Sequence, residues 1–276
     1  MFFIPTNRWI FLLATLGLLT SPLVINCGDS SFSGGTPKAS TPPKKPEPKE
    51  EEPKPKEEEP EEPEPKETLP DCESNVSIAL VVDTSYSMES GIQWDSCNSD
   101  MFKALPKATG GPNTKIAYAL GAISNFVQGL SKGDEIGLAK FSDKANQIEA
   151  VTTKHKEVLN KLTTEHLLPE ACTNVTAALD MGEKMLAPKK GDKKKVLLLL
   201  SDGEPSKGGN NEAVIERADK IKKSGDITII TVGYGLTPKG RELMKDVSTD
   251  EKYYIDAQNK SSIAKAFKNV RKKVCD

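Results

Sequence analysis

Histidine and the standard motifs of enzyme active sites are scarce in this sequence. Among its 276 residues the chain has two histidines, His155 and His166, and no GxSxG nucleophile motif stands near them. No GxGxxG follows the first predicted strand, and no GxxxxGK followed by Ser or Thr occurs, so the glycine-rich loops that hold nucleotide phosphates are missing. We therefore expect no nucleotide cofactor, and we expect that the protein is not an enzyme.

An excess of charge of one sign is also missing. The chain has 38 Lys and Arg residues against 40 Asp and Glu residues, which gives a formal net charge of -2 at pH 7. Such a balance provides no electrostatic reason to expect nucleic acid as a partner.

The apolar run at the amino terminus is shorter than the roughly 20 residues that a membrane-spanning helix requires. Arg8 precedes an apolar block over residues 9–19, a pattern typical of an export signal, with a membrane span as the alternative. The sequence LVINC resembles a bacterial lipoprotein signal, with Val24 three residues before Cys27, although Asn26 stands where Gly, Ala or Ser is usual. The resemblance implies a signal peptide over residues 1–26, lipidation of Cys27, and anchoring to a bacterial membrane, facing the periplasm or the cell surface.

Residues 28–70 contain few groups that a folded core could bury. From Pro42 onward this segment is almost wholly Pro, Glu and Lys, a composition typical of disorder. At about 3.1 Å per residue, an extended Pro-rich chain of this length reaches on the order of 100 Å. We predict that residues 27–70 comprise the anchor cysteine and a disordered tether, and that residues 71–276 form one folded domain.

Cysteine is infrequent, and no CxxC spacing occurs among the five cysteines. If Cys27 is lipidated, four remain, and four cysteines allow three disulfide pairings. We favour a Cys72–Cys275 bridge, which would join the two ends of the domain, together with Cys97–Cys172. Metal-bound thiols are the alternative, but an exported protein resides in an oxidising compartment.

From residue 75 onward, short β-branched runs alternate with amphipathic stretches of helix length, which indicates an α/β fold with a mostly parallel sheet. The apolar run VLLLL, residues 196–200, does not alternate, as expected of a central strand buried on both faces. Six strands are predicted over residues 77–82, 135–141, 148–152, 195–200, 227–232 and 253–255. Helices are predicted over residues 115–129, 154–162, 175–186, 211–223, 239–247 and 261–274.

Oxygen-bearing side chains follow two of these buried strands. Asp83, Ser85 and Ser87 come directly after the first strand, and Asp202 follows the VLLLL strand within SDG. The carboxyl ends of parallel strands are where open α/β sheets bind ligands. Taken singly, each of these residues is more readily explained as a turn or a helix cap.

Together with Thr173 in CTNVTAAL, these segments resemble the metal-ion-dependent adhesion site (MIDAS) of the von Willebrand factor type A (VWA) family, and GDEIGLAKFSD resembles that family's second strand. The resemblance covers about residues 75–274 and implies a Rossmann-like domain whose six-stranded sheet is flanked by helices. It also implies that Asp83, Ser85, Ser87, Thr173 and Asp202 hold Mg²⁺, with Mn²⁺ or Ca²⁺ as alternatives. An acidic side chain of a protein ligand would complete the coordination.

Further candidate residues and two alternative functions also follow from the sequence. Residues 88–112 are longer than the family's usual connection, and Trp94 within them is a candidate contact for a partner. Asp95, Asp100 and Asp143 are expected to be solvated loop residues. The alternatives to a binding module are a metal-independent envelope scaffold and a metal-assisted hydrolase that uses Asp83 and Asp202.

Overall fold

The structure is a computed structural model that describes residues 75–90, 107–170, 172–187 and 191–275. All of them belong to one compact unit, Lys66–Asp276. The predictions for the signal peptide, Cys27, the tether, Cys72, Trp94, Asp95, Cys97 and Asp100 lie outside the described residues.

A six-stranded sheet forms the centre of the domain, with the strand order β3-β2-β1-β4-β5-β6. Only the β2–β3 pair is antiparallel. The predicted mostly parallel α/β sheet is therefore confirmed. Its strands are β1 (Val76–Asp83), β2 (Glu135–Phe141), β3 (Ala145–Thr152), β4 (Lys194–Ser201), β5 (Ile227–Tyr234) and β6 (Tyr254–Ala257).

Helices cover both faces of this sheet, and one core lies on each side. Side chains of β1 alternate between the cores, with Ile78, Leu80 and Val82 in one and Ala79 and Val81 in the other. The first core is closed by α2 (Lys115–Gln128), α3 (His155–Lys161) and α7 (Lys260–Cys275), and the second by α4 (Val175–Leu186), α5 (Asn211–Ser224) and α6 (Pro238–Val247). A short helix α1 (Ser87–Ser90) follows β1.

Most predicted elements agree with the observed ones to within two residues, but β3 does not. This strand begins at Ala145, three residues before the predicted start at Ile148. It is the antiparallel edge strand, and its pairing with β2 contains register shifts. Its first residues, Ala145, Asn146 and Gln147, are only partly buried or exposed, so no apolar run marks their pairing in the sequence.

The order in which the chain adds strands to the sheet reverses between β1 and β4. From β1 it proceeds outward through β2 to β3, then crosses to β4 on the other side of β1 and continues to β6. A ligand crevice forms at such a switch point, outside the carboxyl ends of the two neighbouring strands. Asp83 ends β1, and Asp202 directly follows β4 at this point.

Among the residues that the structure describes, no helix is both long and apolar enough to cross a membrane.

Candidate metal site

All five residues predicted to hold a metal lie buried at the switch point between β1 and β4. Their exposed fractions are 0% for Asp83, 1% for Ser85, 4% for Ser87, 6% for Thr173 and 0% for Asp202. Two carboxylates and three hydroxyls withdrawn from water require partners, because burial without them is costly. Their contacts with one another show how the fold meets this requirement.

The loop after β1 is organised around Asp83. Its Oδ1 accepts a hydrogen bond from the Ser85 backbone N–H at 2.7 Å. This bond turns the chain so that the Ser85 and Ser87 Oγ atoms lie 2.9 Å apart. The backbone N–H of Thr84 donates to the Phe141 carbonyl at 2.7 Å, which extends the pairing of β1 with β2 to the start of the loop.

Asp202 connects this loop to the end of β4. The Ser87 hydroxyl donates to Asp202 Oδ1 at 2.6 Å. In the other direction, the Ser201 hydroxyl donates to Asp83 Oδ2 at 2.6 Å. The two strand ends are therefore joined by reciprocal serine to aspartate hydrogen bonds. Ser201 was not predicted as a site residue; its only sequence signal is its position directly before Asp202.

Thr173 reaches the same place from the loop before α4. Its backbone N–H donates to Ser206 Oγ at 3.0 Å, and its carbonyl accepts from the Ser206 and Lys207 N–H groups. A Cβ atom placed on Gly203 would lie 3.6 Å from Thr173 Oγ1 and 3.8 Å from Ser87 Oγ. The two hydroxyls thus face the same small space beside Gly203, and the structure brings all three predicted segments together.

Glu170 attaches the loop before α4, which contains Thr173, to the residue that follows β1. Its backbone N–H donates to the Thr84 carbonyl at 2.6 Å, and its carboxylate accepts from Ser142 Oγ and Lys140 Nζ, each at 2.8 Å. Burial raises the pKa of Glu170, but the hydrogen bonds from Lys140 and Ser142 outweigh it, and the net direction is downward. A charged Glu170 therefore helps to position the threonine loop.

The electrostatics of the site favour a cation. Burial raises the pKa of Asp83 to about 7, and the nearby Asp202 carboxylate contributes to this rise against the lowering effect of the hydrogen bonds. Burial also raises the pKa of Asp202, although Lys115 and Ser87 act in the opposite direction. Two carboxylates that share a buried site repel each other when both are ionised. A divalent cation would remove this repulsion.

Lys115 is a further residue of the site that the sequence did not reveal. Its Nζ atom lies 2.7 Å from Asp202 Oδ2. In the sequence Lys115 is only the first residue of a predicted helix, 87 positions from Asp202. Nothing in its local pattern marked it as a neighbour of the metal site.

The donor set fits a hard cation. Hydroxyl and carboxylate oxygens are the ligands that Mg²⁺ and Ca²⁺ prefer, whereas softer metals favour thiolate and imidazole. No group of three or more His, Cys, Asp or Glu side chains that could hold a metal occurs within the described ranges. Ser85, Ser87 and Thr173, with Asp83 and Asp202, instead provide a set of hydroxyl and carboxylate oxygens at this edge of the sheet.

The remaining sequence predictions have mixed outcomes. Asp143 lies in the loop between β2 and β3, where it is partly exposed and pairs with Lys207 at 2.6 Å. The two histidines have structural contacts away from the site: His155 Nε2 lies 2.9 Å from the Asp134 carbonyl, and His166 Nδ1 lies 2.8 Å from Thr163 Oγ1.

Cys172 and Cys275 are each disulfide-bonded. Cys172 is buried beside Thr173, at the carboxyl ends of the parallel strands, and Cys275 ends α7 near the loop before β2. The Cys72–Cys275 and Cys97–Cys172 pairings stay predictions, since Cys72 and Cys97 fall outside the described ranges.

The fold and the site define a class: an open α/β domain with an oxygen-lined site where β1 and β4 diverge. The sequence profile of the von Willebrand factor type A domain matches residues 77–269. Because this match covers more than half of the chain, the protein belongs to that family. No curated protein is similar enough in sequence to serve as a relative.

Solved structures share the fold at low sequence identity. The vWF domain of the type V pili tip protein Mfa5 from Porphyromonas gingivalis has 16% identity and a TM-score of 0.55, over 73% of this chain and 95% of that one. The pilus adhesin SpaC from Lactobacillus rhamnosus GG has 18% identity and a TM-score of 0.56, over 73% and 31%. Proximal thread matrix protein 1 from the mussel byssus, with a zinc-occupied MIDAS motif, has 15% identity and a TM-score of 0.58, over 74% and 49%. This chain therefore matches less than half of the length of the last two proteins.

Proposed function

We propose that this protein is a binding module that recognises a protein ligand through a divalent cation, with Mg²⁺ as the preferred ion. The observation that carries the proposal is the convergence of three buried hydroxyls and two buried carboxylates at the switch point of the sheet. The family match and the zinc-occupied motif of a structural neighbour support it.

The chemistry of recognition would follow from the small number of charged ligands. Three of the five predicted ligands, Ser85, Ser87 and Thr173, are neutral. The charge of Asp202 is already shared with the Lys115 ammonium group, so the site would leave part of the charge of a divalent ion uncompensated. Such an ion attracts an outside anion. A Glu or Asp side chain of a partner protein has the oxygen and the charge to complete the coordination. The protein would act by binding and would perform no catalysis.

Calorimetric titration of Mg²⁺, Mn²⁺ and Ca²⁺ into the metal-stripped protein tests the site. We expect saturable binding to the wild type and a loss of at least about tenfold in affinity for the S85A/S87A double variant, because two direct oxygen ligands are removed. Ser224→Ala is the matched control, since Ser224 lies at the end of α5, near the amino ends of the parallel strands and away from the site. Its hydroxyl makes local hydrogen bonds: it donates to the Ile221 carbonyl and accepts from the Asp226 backbone N–H. Equal affinity in the double variant and the wild type would show that the site is wrongly assigned.

The partner requires a separate test. Envelope proteins retained by the immobilised wild type in Mg²⁺ should be released by EDTA and should not be retained by S85A/S87A. Once one such protein is identified, replacement of its acidic surface residues should abolish its retention. Retention that ignores both EDTA and the serine substitutions would contradict a metal-dependent mechanism.

A metal-independent scaffold of the cell envelope is the second candidate. The specific observation in its favour is the Lys115–Asp202 ion pair, because it already supplies one positive charge to the buried carboxylates. A protein whose melting temperature and partner binding are the same in Mg²⁺ and in EDTA would support this alternative.

Location forms part of the proposal. The lipoprotein-type sequence at Cys27 and the Pro-rich segment after it support an exported protein that is anchored to a bacterial membrane and extends toward the periplasm or the cell surface. Detergent phase partitioning and intact mass should show a lipidated wild type and an unlipidated Cys27→Ala variant. An unlipidated wild type would refute the anchor.

A further inference from the structure

Lys115 places a positive charge directly against one of the two buried carboxylates of the candidate metal site. Its Nζ atom lies 2.7 Å from Asp202 Oδ2, and the Asp202 side chain is 0% exposed while that of Lys115 is 23% exposed. Asp202 uses its other oxygen, Oδ1, to accept from Ser87 at 2.6 Å. One oxygen of Asp202 therefore faces the hydroxyl cluster, and the other faces the ammonium group.

The location of this lysine in its own helix is electrostatically unfavourable. Lys115 is the first residue of α2, and no acidic residue occurs in the first turn of that helix. The amino end of a helix carries partial positive charge, which disfavours a cation there. A lysine at this position therefore depends on a compensating anion, and Asp202 supplies it from the end of β4.

The neighbouring strand end also shapes the position of the ammonium group. Lys115 Nζ lies 6.0 Å from the centre of the Tyr234 ring, and Tyr234 is 2% exposed. A Cβ atom on Gly235 would lie 3.5 Å from both Cε and Nζ of Lys115. The lysine side chain thus runs past the end of β5 to reach Asp202.

We propose that Lys115 is a built-in counter-cation for Asp202, which compensates the buried carboxylate when no metal is bound and weakens the affinity of the site for divalent cations. This inference rests on the proposed metal-dependent function. Because Asp202 has two oxygens, the lysine and a metal ion could share it, but their like charges would repel each other across the carboxylate. The lysine would therefore set how much divalent cation the domain needs before it binds a partner.

The test is a Lys115→Met substitution, which removes the charge and keeps an unbranched apolar side chain. We expect the dissociation constant for Mg²⁺, measured by calorimetry on the full protein, to fall by about tenfold, since the repulsion between the two cations is lost. In EDTA the variant should melt at a lower temperature than the wild type, because Asp202 loses its counter-ion. Saturating Mg²⁺ should bring the two melting temperatures closer together.

Two control variants separate charge from packing. Lys115→Arg keeps the positive charge and should change the dissociation constant by less than about threefold, because the repulsion between the cations is retained. Lys260→Met is the matched control, because Lys260 is also the first residue of a helix, α7, and also lies near a tyrosine ring, at 5.7 Å from that of Tyr118. It should leave the dissociation constant unchanged. If Lys115→Met does not yield folded protein, Lys115→Gln is measured in the same way.

The outcomes distinguish this inference from the proposed function. Tighter Mg²⁺ binding in Lys115→Met, with Lys115→Arg and Lys260→Met close to the wild type, supports the counter-cation. An unchanged or weaker affinity in Lys115→Met overturns it and leaves the metal site of the wild type intact. Absence of Mg²⁺ binding in both the wild type and Lys115→Met overturns the inference together with the proposed function.

Discussion

Replacing Asp83 with asparagine should stabilise the metal-free protein at high pH. Burial and the Asp202 carboxylate raise the pKa of Asp83 from 3.8 to about 7 in the folded protein. Between about pH 5 and about pH 8 the unfolded chain has this carboxyl ionised throughout, whereas the folded protein gives up its proton only near pH 7. The folded state binds more protons than the unfolded state over this interval, so its stability falls as the pH rises.

The magnitude follows from the size of the pKa change. Each pKa unit corresponds to about 1.4 kcal/mol, and the roughly two units between about pH 5 and the folded pKa of about 7 give roughly 3 kcal/mol as an upper figure. The asparagine side chain of the variant would not titrate. We therefore expect the difference in unfolding free energy, variant minus wild type, to increase by up to about 3 kcal/mol from the lower pH to the higher.

The substitution is sterically mild because the hydrogen bonds of Asp83 can be retained. The asparagine side-chain oxygen can accept from the Ser85 N–H in place of Oδ1. The amide nitrogen would meet Ser201 Oγ, whose hydroxyl would turn to accept from it and to donate toward the Gly203 carbonyl, 3.3 Å away. The expected change is thus mainly the loss of a buried charge.

Urea denaturation in EDTA, followed by circular dichroism at both pH values, measures the effect. Asp143→Asn is the control, because Asp143 is a partly exposed carboxylate on a neighbouring loop and pairs with Lys207. The reasoning would be refuted if the difference in unfolding free energy, variant minus wild type, did not increase from the lower pH to the higher. It would also be refuted if the variant were less stable than the wild type at both pH values. In saturating Mg²⁺ the order should reverse at high pH, because only the wild type gains from metal binding.

Three glycine substitutions test the packing and the backbone around the site by the same denaturation measurement. Gly182→Ala should destabilise the domain by about 1–3 kcal/mol, since the new Cβ would lie 2.5 Å from Leu197 Cγ, between α4 and β4; an unchanged midpoint would contradict this packing. Gly121→Ala should stabilise by about 0.5–1 kcal/mol, because nothing lies within 4 Å of the new Cβ and alanine favours the helix α2; a loss of stability would contradict this environment. Gly235→Ala should cost about 1–2 kcal/mol, because Gly235 has a φ of +65°, and its new Cβ would contact Lys115; a neutral result would show that the backbone relaxes.

The local sequence was sufficient to predict the fold class and the segments of the site. Buried parallel strands require continuous apolar runs, and the runs that became β1 and β4 are the most apolar in the folded part of the chain. Asp83 and Asp202 follow these runs directly, so their place at the carboxyl edge of the sheet could be predicted. The start of β3 could not be predicted from the sequence, because an edge strand that is exposed on one side needs no apolar run.

The sequence by itself was enough to name the five predicted ligands: Asp83, Ser85 and Ser87 are close neighbours on one loop, and Thr173 and Asp202 each belong to a recognisable segment. Only the tertiary structure decided which partners those oxygens have. Hydrogen bonds and ion pairs act over a few Å in space, irrespective of separation along the chain. The pairing of Asp202 with Lys115, 87 residues away, and of Asp83 with Ser201, 118 residues away, therefore arises only when the sheet is assembled in its observed order.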